Sequence, residues 1–361
     1  MKAKKALAWG VAVALVVLGC LFLAFQGLQD FDFSEYRTRP LAFDFDGYSV
    51  AGTLHLPRAE NPPLVLLVHG DGPADRYSGD GYMPLISTLL DSGIAVYSWD
   101  KPGIGESGGN WLSFSMDDRA RLAATALATV KQQPGLQTSP AGFLGFSQAG
   151  WVLPILAQEP ARGDFFVIVG GAINWLRQGA YYTKRKMELA GASGQDIKAA
   201  LKAGMDADLK LRPQSFSYQD YLASGMDETP MSEPRFGFVQ RNMRADSTHN
   251  LWHISAPVLT IHGSEDLNVD PVANSNGYRE ILKGRHKANR SVVVPGGTHA
   301  LLRAGLFNYQ LEGNMPAGLK TLFAVLGRRA YAPGALETLT GWVNGLATEN
   351  SGAGKPSGRS N

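Results

Sequence analysis

Phe143-Leu144-Gly145-Phe146-Ser147-Gln148-Ala149-Gly150 stands between a strand predicted over residues 141–145 and a helix predicted over 148–158. A serine at such a junction, with small residues two before and two after it, fits the G-x-S-x-G turn that raises a hydroxyl on a sharp, strained backbone. The small residues answer a steric need, because strand and helix approach each other too closely for bulk. Ala149 fills the last motif position in place of glycine, Gly150 follows, and alanine is small enough for the turn. Gly and Ser are common in ordinary turns, so the pentapeptide gains its meaning from the strand before it and the helix after it.

Working outward, the chain alternates. Leu64-Val65-Leu66-Leu67-Val68-His69 is a continuous apolar run, as a strand buried on both faces requires. A helix is predicted over 82–91, a second buried strand over 94–99, and an amphipathic helix over 116–132. Ser115 opens that last helix, with Asp117 and Asp118 in its first turn. A strand over 165–169 follows the Ser147 helix. Upstream, runs at 41–45 and 48–56 flank Asp46-Gly47, a hairpin turn signal. From 174 to 250 the rhythm breaks into helical segments (179–190, 194–205, 218–226) with no buried strand. Strand character returns over 257–262 and 290–294, and a final helix fits 333–346. The alternation implies right-handed crossovers and an α/β, doubly wound, mainly parallel sheet carrying a helical insertion, rather than two independent domains.

A serine hydroxyl is a poor nucleophile unless a base takes its proton and a third group orients that base. Asp266 lies in Gly263-Ser264-Glu265-Asp266, just past the strand over 257–262. His299 lies in Pro295-Gly296-Gly297-Thr298-His299, just past the strand over 290–294. Both thus fall on the sheet edge that carries Ser147, where sites form in open parallel sheets. The order Ser147, Asp266, His299 resembles that of the α/β-hydrolase family, over roughly residues 41–346. His69-Gly70-Asp71-Gly72-Pro73 resembles its oxyanion loop, and Asp100-Lys101-Pro102-Gly103-Ile104-Gly105-Glu106-Ser107 its D-x-x-G-x-G-x-S loop. The insertion resembles its variable cap.

The resemblance implies acyl transfer, with Ser147 as nucleophile, His299 as base and Asp266 as orienting acid; Asp270 is the alternative acid but fits the G-x-x-D spacing less well. It also implies an oxyanion hole made by the backbone N–H groups of Gln148 and Asp71. Related loops usually carry a neutral or apolar residue where this chain has Asp71. A carboxylate there would oppose the oxyanion unless it turns away, toward Arg76. Ser107, Gly103, Gly105 and His69 read as architecture. Trp175, Tyr181 and Tyr182 open the insertion, where they could line an acyl pocket, Trp175 and Tyr182 foremost, or simply pack the cap.

The function expected is a carboxylic-ester hydrolase acting on a small-molecule ester or acyl substrate. The alternatives are a thioesterase, a serine peptidase of the aminopeptidase or prolyl-oligopeptidase kind, and a non-catalytic hydrolase fold used for binding. A peptidase would need cap acids for the substrate amine, among which are Glu188, Asp196, Asp206, Asp208 and Asp220. A formal charge of +2 gives no drive toward nucleic acid. No cofactor or metal is implied; His249 and His253, four apart, lack an H-E-x-x-H pattern or a nearby thiolate.

Lys2, Lys4 and Lys5 precede an uncharged, mostly apolar run over 6–28, long enough at about 1.5 Å per residue to cross a bilayer core of roughly 30 Å. The expectation is an anchor over 1–28, a connector over 29–40 and a catalytic domain over 41–347 on the extracytoplasmic side. Val17-Leu18-Gly19-Cys20 resembles a lipobox, so a lipoprotein or a cleaved, secreted form is the alternative. The Gly- and Ser-rich tail over 348–361 is expected to be disordered.

Overall fold

The run Leu64–Val68 is a strand buried at every position, and its alternate residues point into two different cores. Leu64, Leu66 and Val68 join Tyr97 and Trp99 on one face, whereas Val65 and Leu67 join Val96 on the other. That two-sided burial is what an unbroken apolar strand needs to be stable. The computed structural model describes residues 2–159 and 162–352. In chain order the strands are β1 (Arg37–Pro40), β2 (Phe43–Phe45), β3 (Tyr48–Val50), β4 (Gly52–Leu56), β5 (Leu64–Val68), β6 (Ala95–Trp99), β7 (Ala141–Phe146), β8 (Phe165–Val169), β9 (Val258–Gly263) and β10 (Arg290–Val294). Among the described residues they form an eight-stranded sheet in the order β1-β4-β6-β5-β7-β8-β9-β10 and the separate hairpin β2-β3. β6 through β10 pair in parallel, while β1 and β4 run antiparallel at one edge.

The helices are α1 (Lys2–Gln29), α2 (Met83–Asp91), α3 (Met116–Lys131), α4 (Ala149–Leu156), α5 (Trp175–Leu189), α6 (Gly194–Leu211) and α7 (Tyr218–Ser224). They continue with α8 (Glu233–Asn242), α9 (Thr248–Trp252), α10 (Pro271–Ile281), α11 (Ala304–Phe307), α12 (Ala317–Leu326) and α13 (Ala335–Gly352). α3 and α4 cover the face that holds Leu66, and α2 and α13 cover the face that holds Leu67. Ser115 caps α3 in a capping box with Asp118, which fixes where that helix begins. The fold is that of an α/β-hydrolase: a mostly parallel sheet with helices on both faces and α5–α9 inserted between β8 and β9. After β5 the chain moves outward to β6 and then returns past β5 to β7. The loops leaving β5 and β7 therefore diverge, and a crevice opens at their C-terminal ends.

Several boundaries differ from the sequence reading. The connector expected over 29–40 contains β1, an exposed edge strand paired with β4. Its charged Arg37-Thr38-Arg39 suits an edge that must not pair with other chains, and it carries no apolar alternation to reveal it. α13 runs to Gly352, five residues into the tail expected from 348 to be disordered. The rest of that tail, 353–361, lies outside the described residues. The insertion holds α8 and α9 in addition to the three helices expected, because both are short and weakly periodic.

Within α1, Trp9–Gln29 is long and apolar enough to cross a membrane, and almost all of it is exposed. Its last turn is not free. A Cβ on Gly27 would lie 1.8 Å from the carbonyl oxygen of Val325 in α12, so only glycine permits that approach. Just beyond α1, the buried Asp30 accepts from the Arg328 backbone N–H at 2.6 Å and from its guanidinium at 2.8 Å. Helix and body are joined by packing and by a charged contact, without a slack tether between them.

Candidate active site

Ser147 follows β7 with φ +53°, a left-handed conformation that a serine rarely adopts. The backbone around it explains how the turn is held. Ser147 N–H donates to Val169 O at 2.9 Å, and Gly150 N–H closes the turn on Ser147 O at 2.9 Å. A Cβ on Gly145 would lie 2.4 Å from the Ala149 Cβ, so alanine at the last motif position makes glycine obligatory at the first. A Cβ on Gly150 would lie 2.9 Å from Gly171 Cα, which sits just past the neighbouring strand.

Asp266 and His299 come together as the sequence order implies. Asp266 Oδ2 is 2.8 Å from His299 Nδ1. The other oxygen, Oδ1, accepts from the backbone N–H of Asn268 at 2.7 Å and of Val269 at 2.9 Å. Asp266 as a whole is 1% exposed, so these contacts replace the water its carboxylate has lost. Loop approach makes the pairing possible: a Cβ on Gly263 would lie 2.2 Å from both Gly297 O and Thr298 O. Burial pushes the His299 imidazole toward its neutral form, but the Asp266 charge and hydrogen bond outweigh it and raise the pKa above 6.5. Asp270, the alternative acid, instead caps α10 through Val272 and Ala273 N–H. Gly170 links this pair to the serine, since a Cβ there would lie 2.9 Å from His299 Nδ1 and its neighbour Val169 holds Ser147 N–H. Among the described residues the Ser147 hydroxyl makes no hydrogen bond to His299.

The loop after β5 is pressed onto the serine, with a Gly70 Cβ position 3.2 Å from Ser147 Cβ. Its carbonyls are held from behind by two cations that sequence reasoning missed. Lys101 Nζ donates to Gly70 O at 2.7 Å and Gly72 O at 2.6 Å. Arg119, on α3, donates to His69 O and Gly70 O, and through Nη1 to Gln148 Oε1 at 2.9 Å. Burial lowers the Lys101 pKa well below its usual value and pushes Arg119 down to about 10. A trans peptide carries C=O and N–H on opposite sides, so the Gly70–Asp71 unit turns its N–H away from these cations. Among the described residues neither that N–H nor the one of Gln148 has an acceptor. His69 is architectural: Nε2 donates to Trp99 O at 2.6 Å, and burial lowers its pKa to about 3.

The Asp71 side chain does turn away, but not toward Arg76. Arg76 is committed to Asp100 at 2.6 Å and Glu106 at 2.5 Å. Asp71 is held instead by Arg235 of α8, in a bidentate pair at 2.8 and 2.6 Å. A separation of 164 positions along the chain hid the pair from any local pattern. Asp100, Gly103, Gly105 and Ser107 form a self-supporting loop: a Gly105 Cβ would lie 2.4 Å from Asp100 Oδ2, and Ser107 Oγ bridges Asp100 O and Ala51 N–H.

Of the aromatics expected near substrate, Trp175 packs 4.8 Å from the Trp151 ring and so joins α5 to the helix behind Ser147. Tyr182 is half-buried, with its carbonyl accepting from Gln310. Tyr181, its neighbour, donates to Asp266 O at 2.8 Å and ties α5 to the acid loop. The His249 and His253 rings lie 4.5 Å apart and tilted to each other, with His253 Nδ1 on His249 O. Among the described residues no group of three or more His, Cys, Asp or Glu side chains is arranged to hold a metal.

The sequence model of the family described as "Serine aminopeptidase, S33" matches residues 59–304. No curated protein matches the chain. Among solved structures, the Pyrococcus furiosus esterase Pf2001 is 18% identical, covering 76% of this chain and 85% of its own at a TM-score of 0.52. Est1E of Butyrivibrio proteoclasticus with ferulic acid bound is 18% identical over 86% of this chain and 99% of its own, at 0.51. A membrane phospholipase A, described as a bacterial virulence factor, is 16% identical over 95% and 99%, at 0.51. These three share the fold. The match over 59–304 spans most of the chain and includes Ser147, Asp266 and His299, and the chain belongs to the S33 serine aminopeptidase family of α/β-hydrolases.

Proposed function

We propose that this hydrolase cleaves carboxylic esters through an acyl-Ser147 intermediate. His299 takes the Ser147 proton as the hydroxyl oxygen attacks the ester carbonyl, and Asp266 stabilises the resulting imidazolium. The imidazolium returns its proton to the leaving alcohol. A water, deprotonated by His299, then attacks the acyl carbon and Ser147 departs with the proton restored. The amides of Gln148 and Asp71 would hold the oxyanion, each such donor being worth roughly 3–4 kcal/mol. The observation that carries this reading is the 2.8 Å Asp266–His299 contact on the sheet edge where Ser147 is held at φ +53°. In this reading Ser147 and His299 close to hydrogen-bond distance when substrate binds, since such bonds often tighten only in the complex.

Esters are favoured over peptides by the state of the cap acids. Glu188 is paired with Arg185 at 2.5 Å, and Asp206 with Lys202 at 2.7 Å. Asp196 and Asp220 are occupied at their own helix N-termini by Ser193 and Ser217. Among the described residues Asp208 makes no such contact, Arg212 acting on it only through its charge, and burial raises its pKa, which suits a poor anchor for an amine. The named esterases among the structural neighbours agree with this choice. Tyr182 is proposed to border the acyl group, with Trp175 setting the cap against the body. A panel of p-nitrophenyl esters, acyl thioesters and aminoacyl anilides tests the reading: turnover should be fastest on esters, and faster turnover of the anilides would replace it with a peptidase.

We also propose that α1 anchors the enzyme with its catalytic body outside the cytoplasm, from its exposed apolar surface and the lysines that precede it. An alkaline-phosphatase fusion after residue 40 should be active; activity from a cytoplasmic reporter there instead would reverse the orientation. Palmitate incorporation that disappears in Cys20→Ser would favour a lipoprotein.

A further inference from the structure

Asp71 puts a carboxylate on the residue whose amide is proposed to hold the oxyanion. A negative charge so close opposes the charge that develops on the substrate carbonyl, and the opposition grows when substrate displaces water from the crevice. The chain answers that charge from the insertion. Arg235 meets both carboxylate oxygens, at 2.8 and 2.6 Å, and its guanidinium lies 5.1 Å from the centre of the Phe238 ring one turn along α8. Burial raises the Asp71 pKa, but Arg235, with Gly72 N–H and Lys101, outweighs it, so the group is ionised and paired.

Arg235 is delivered by a fixed element. At the far end of α8, Asn242 accepts from Met116 N–H at 2.9 Å and donates to Phe114 O at 3.0 Å. Phe238 packs edge-on to Trp111 at 5.4 Å, in the segment that also seats Lys101. The residues at 235, 238 and 242 recur at helical spacing, so one face of α8 carries both the cation and its footing. The other cations nearby cannot take over. Lys101 and Arg119 are spent on loop carbonyls, and burial disfavours the charged form of each.

We propose that Arg235 is a positioning residue for the oxyanion hole: it neutralises Asp71 and fixes the loop that presents the Asp71 amide, so the hole is electrically competent only with α8 docked. This rests on the acyl-serine reading above. It assigns to the cap a part in the chemical step, beyond choosing substrates.

The test is a charge-removal cycle on the full chain, using a short p-nitrophenyl ester. Arg235→Ala should lower kcat by about tenfold or more with little change in KM, because the unpaired carboxylate acts mainly in the transition state. Arg235→Lys should fall between wild type and Arg235→Ala, since it keeps the charge and loses the fork. Adding Asp71→Asn to Arg235→Ala should recover most of the lost kcat, and Asp71→Asn alone should lose less than Arg235→Ala. A purely structural role for Arg235 predicts no such recovery. Fluorophosphonate labelling of wild type, absent in Ser147→Ala, is run alongside to test the acyl-serine reading itself. With labelling intact, a double variant as slow as Arg235→Ala overturns the role of Arg235 alone; with labelling absent from wild type, both readings fall.

Discussion

The two halves of the candidate site are held by different physics. The half that contains Ser147, Asp266 and His299 is set by backbone geometry: a positive-φ turn, glycines where strands and loops touch, and a carboxylate saturated by local N–H groups. The half formed by the loop after β5 is set by charge. Lys101 and Arg119 grip its carbonyls, and Arg235 grips Asp71. Contacts of the first kind are local or follow strand order, and tolerate little change. Those of the second kind are long side chains from α3, a loop and the insertion, each replaceable at a graded cost.

Substitution should separate the two halves by size of effect. Ser147→Ala and His299→Ala should each lower kcat by at least about 10³-fold with the fold intact, read by ester turnover and circular dichroism. Near-wild-type turnover in Ser147→Ala would remove the geometric half from the chemistry.

Asp266→Asn should cost about 10²-fold or more, because in the proposed mechanism the acid orients the base and stabilises its cation. It carries a sign as well. The base must be neutral, so kcat/KM should rise with pH through a pKa above 6.5, the value that Asp266 raises for His299 against the effect of burial. Removing the carboxylate should move that acid limb to lower pH. A limb that stays put would mean that another group sets it.

In the charged half, Arg119→Met should lower kcat by roughly 10–100-fold, since the His69 carbonyl and the Gln148 side chain lose their donor together. Binding of ester, followed by KM, should change less. An equal loss in KM with kcat preserved would place Arg119 in substrate binding instead. Smallest of all, Tyr181→Phe removes one hydrogen bond to the Asp266 carbonyl and should cost no more than about fivefold. A loss as large as that of Asp266→Asn would mean that the cap, through Tyr181, holds the acid in place.

The same contrast explains how much was legible in the sequence. The sheet was readable because Leu64–Val68 and Phe165–Val169 are apolar runs whose two-sided burial follows from composition. The common placement of Ser147, Asp266 and His299 was readable because each ends or follows such a strand, and strand order fixes the edge they share. β1 was missed because an edge strand of Arg and Thr has no buried face to announce it. Lys101, Arg119 and Arg235 were missed for a further reason. Each acts through the tip of a long side chain on a partner set by tertiary structure, and nothing in α3 or α8 distinguishes a clamping arginine from a solvated one. The expected Asp71–Arg76 contact failed on the same point: proximity in sequence lost to Asp100, which already held Arg76.

The measurement that bears most directly on the geometric half is the intact mass of the protein after reaction with a fluorophosphonate, followed by peptide mapping. The account predicts a single adduct per chain, on Ser147, lost in Ser147→Ala and slowed in His299→Ala. No adduct, or an adduct on another residue that survives Ser147→Ala, would contradict it.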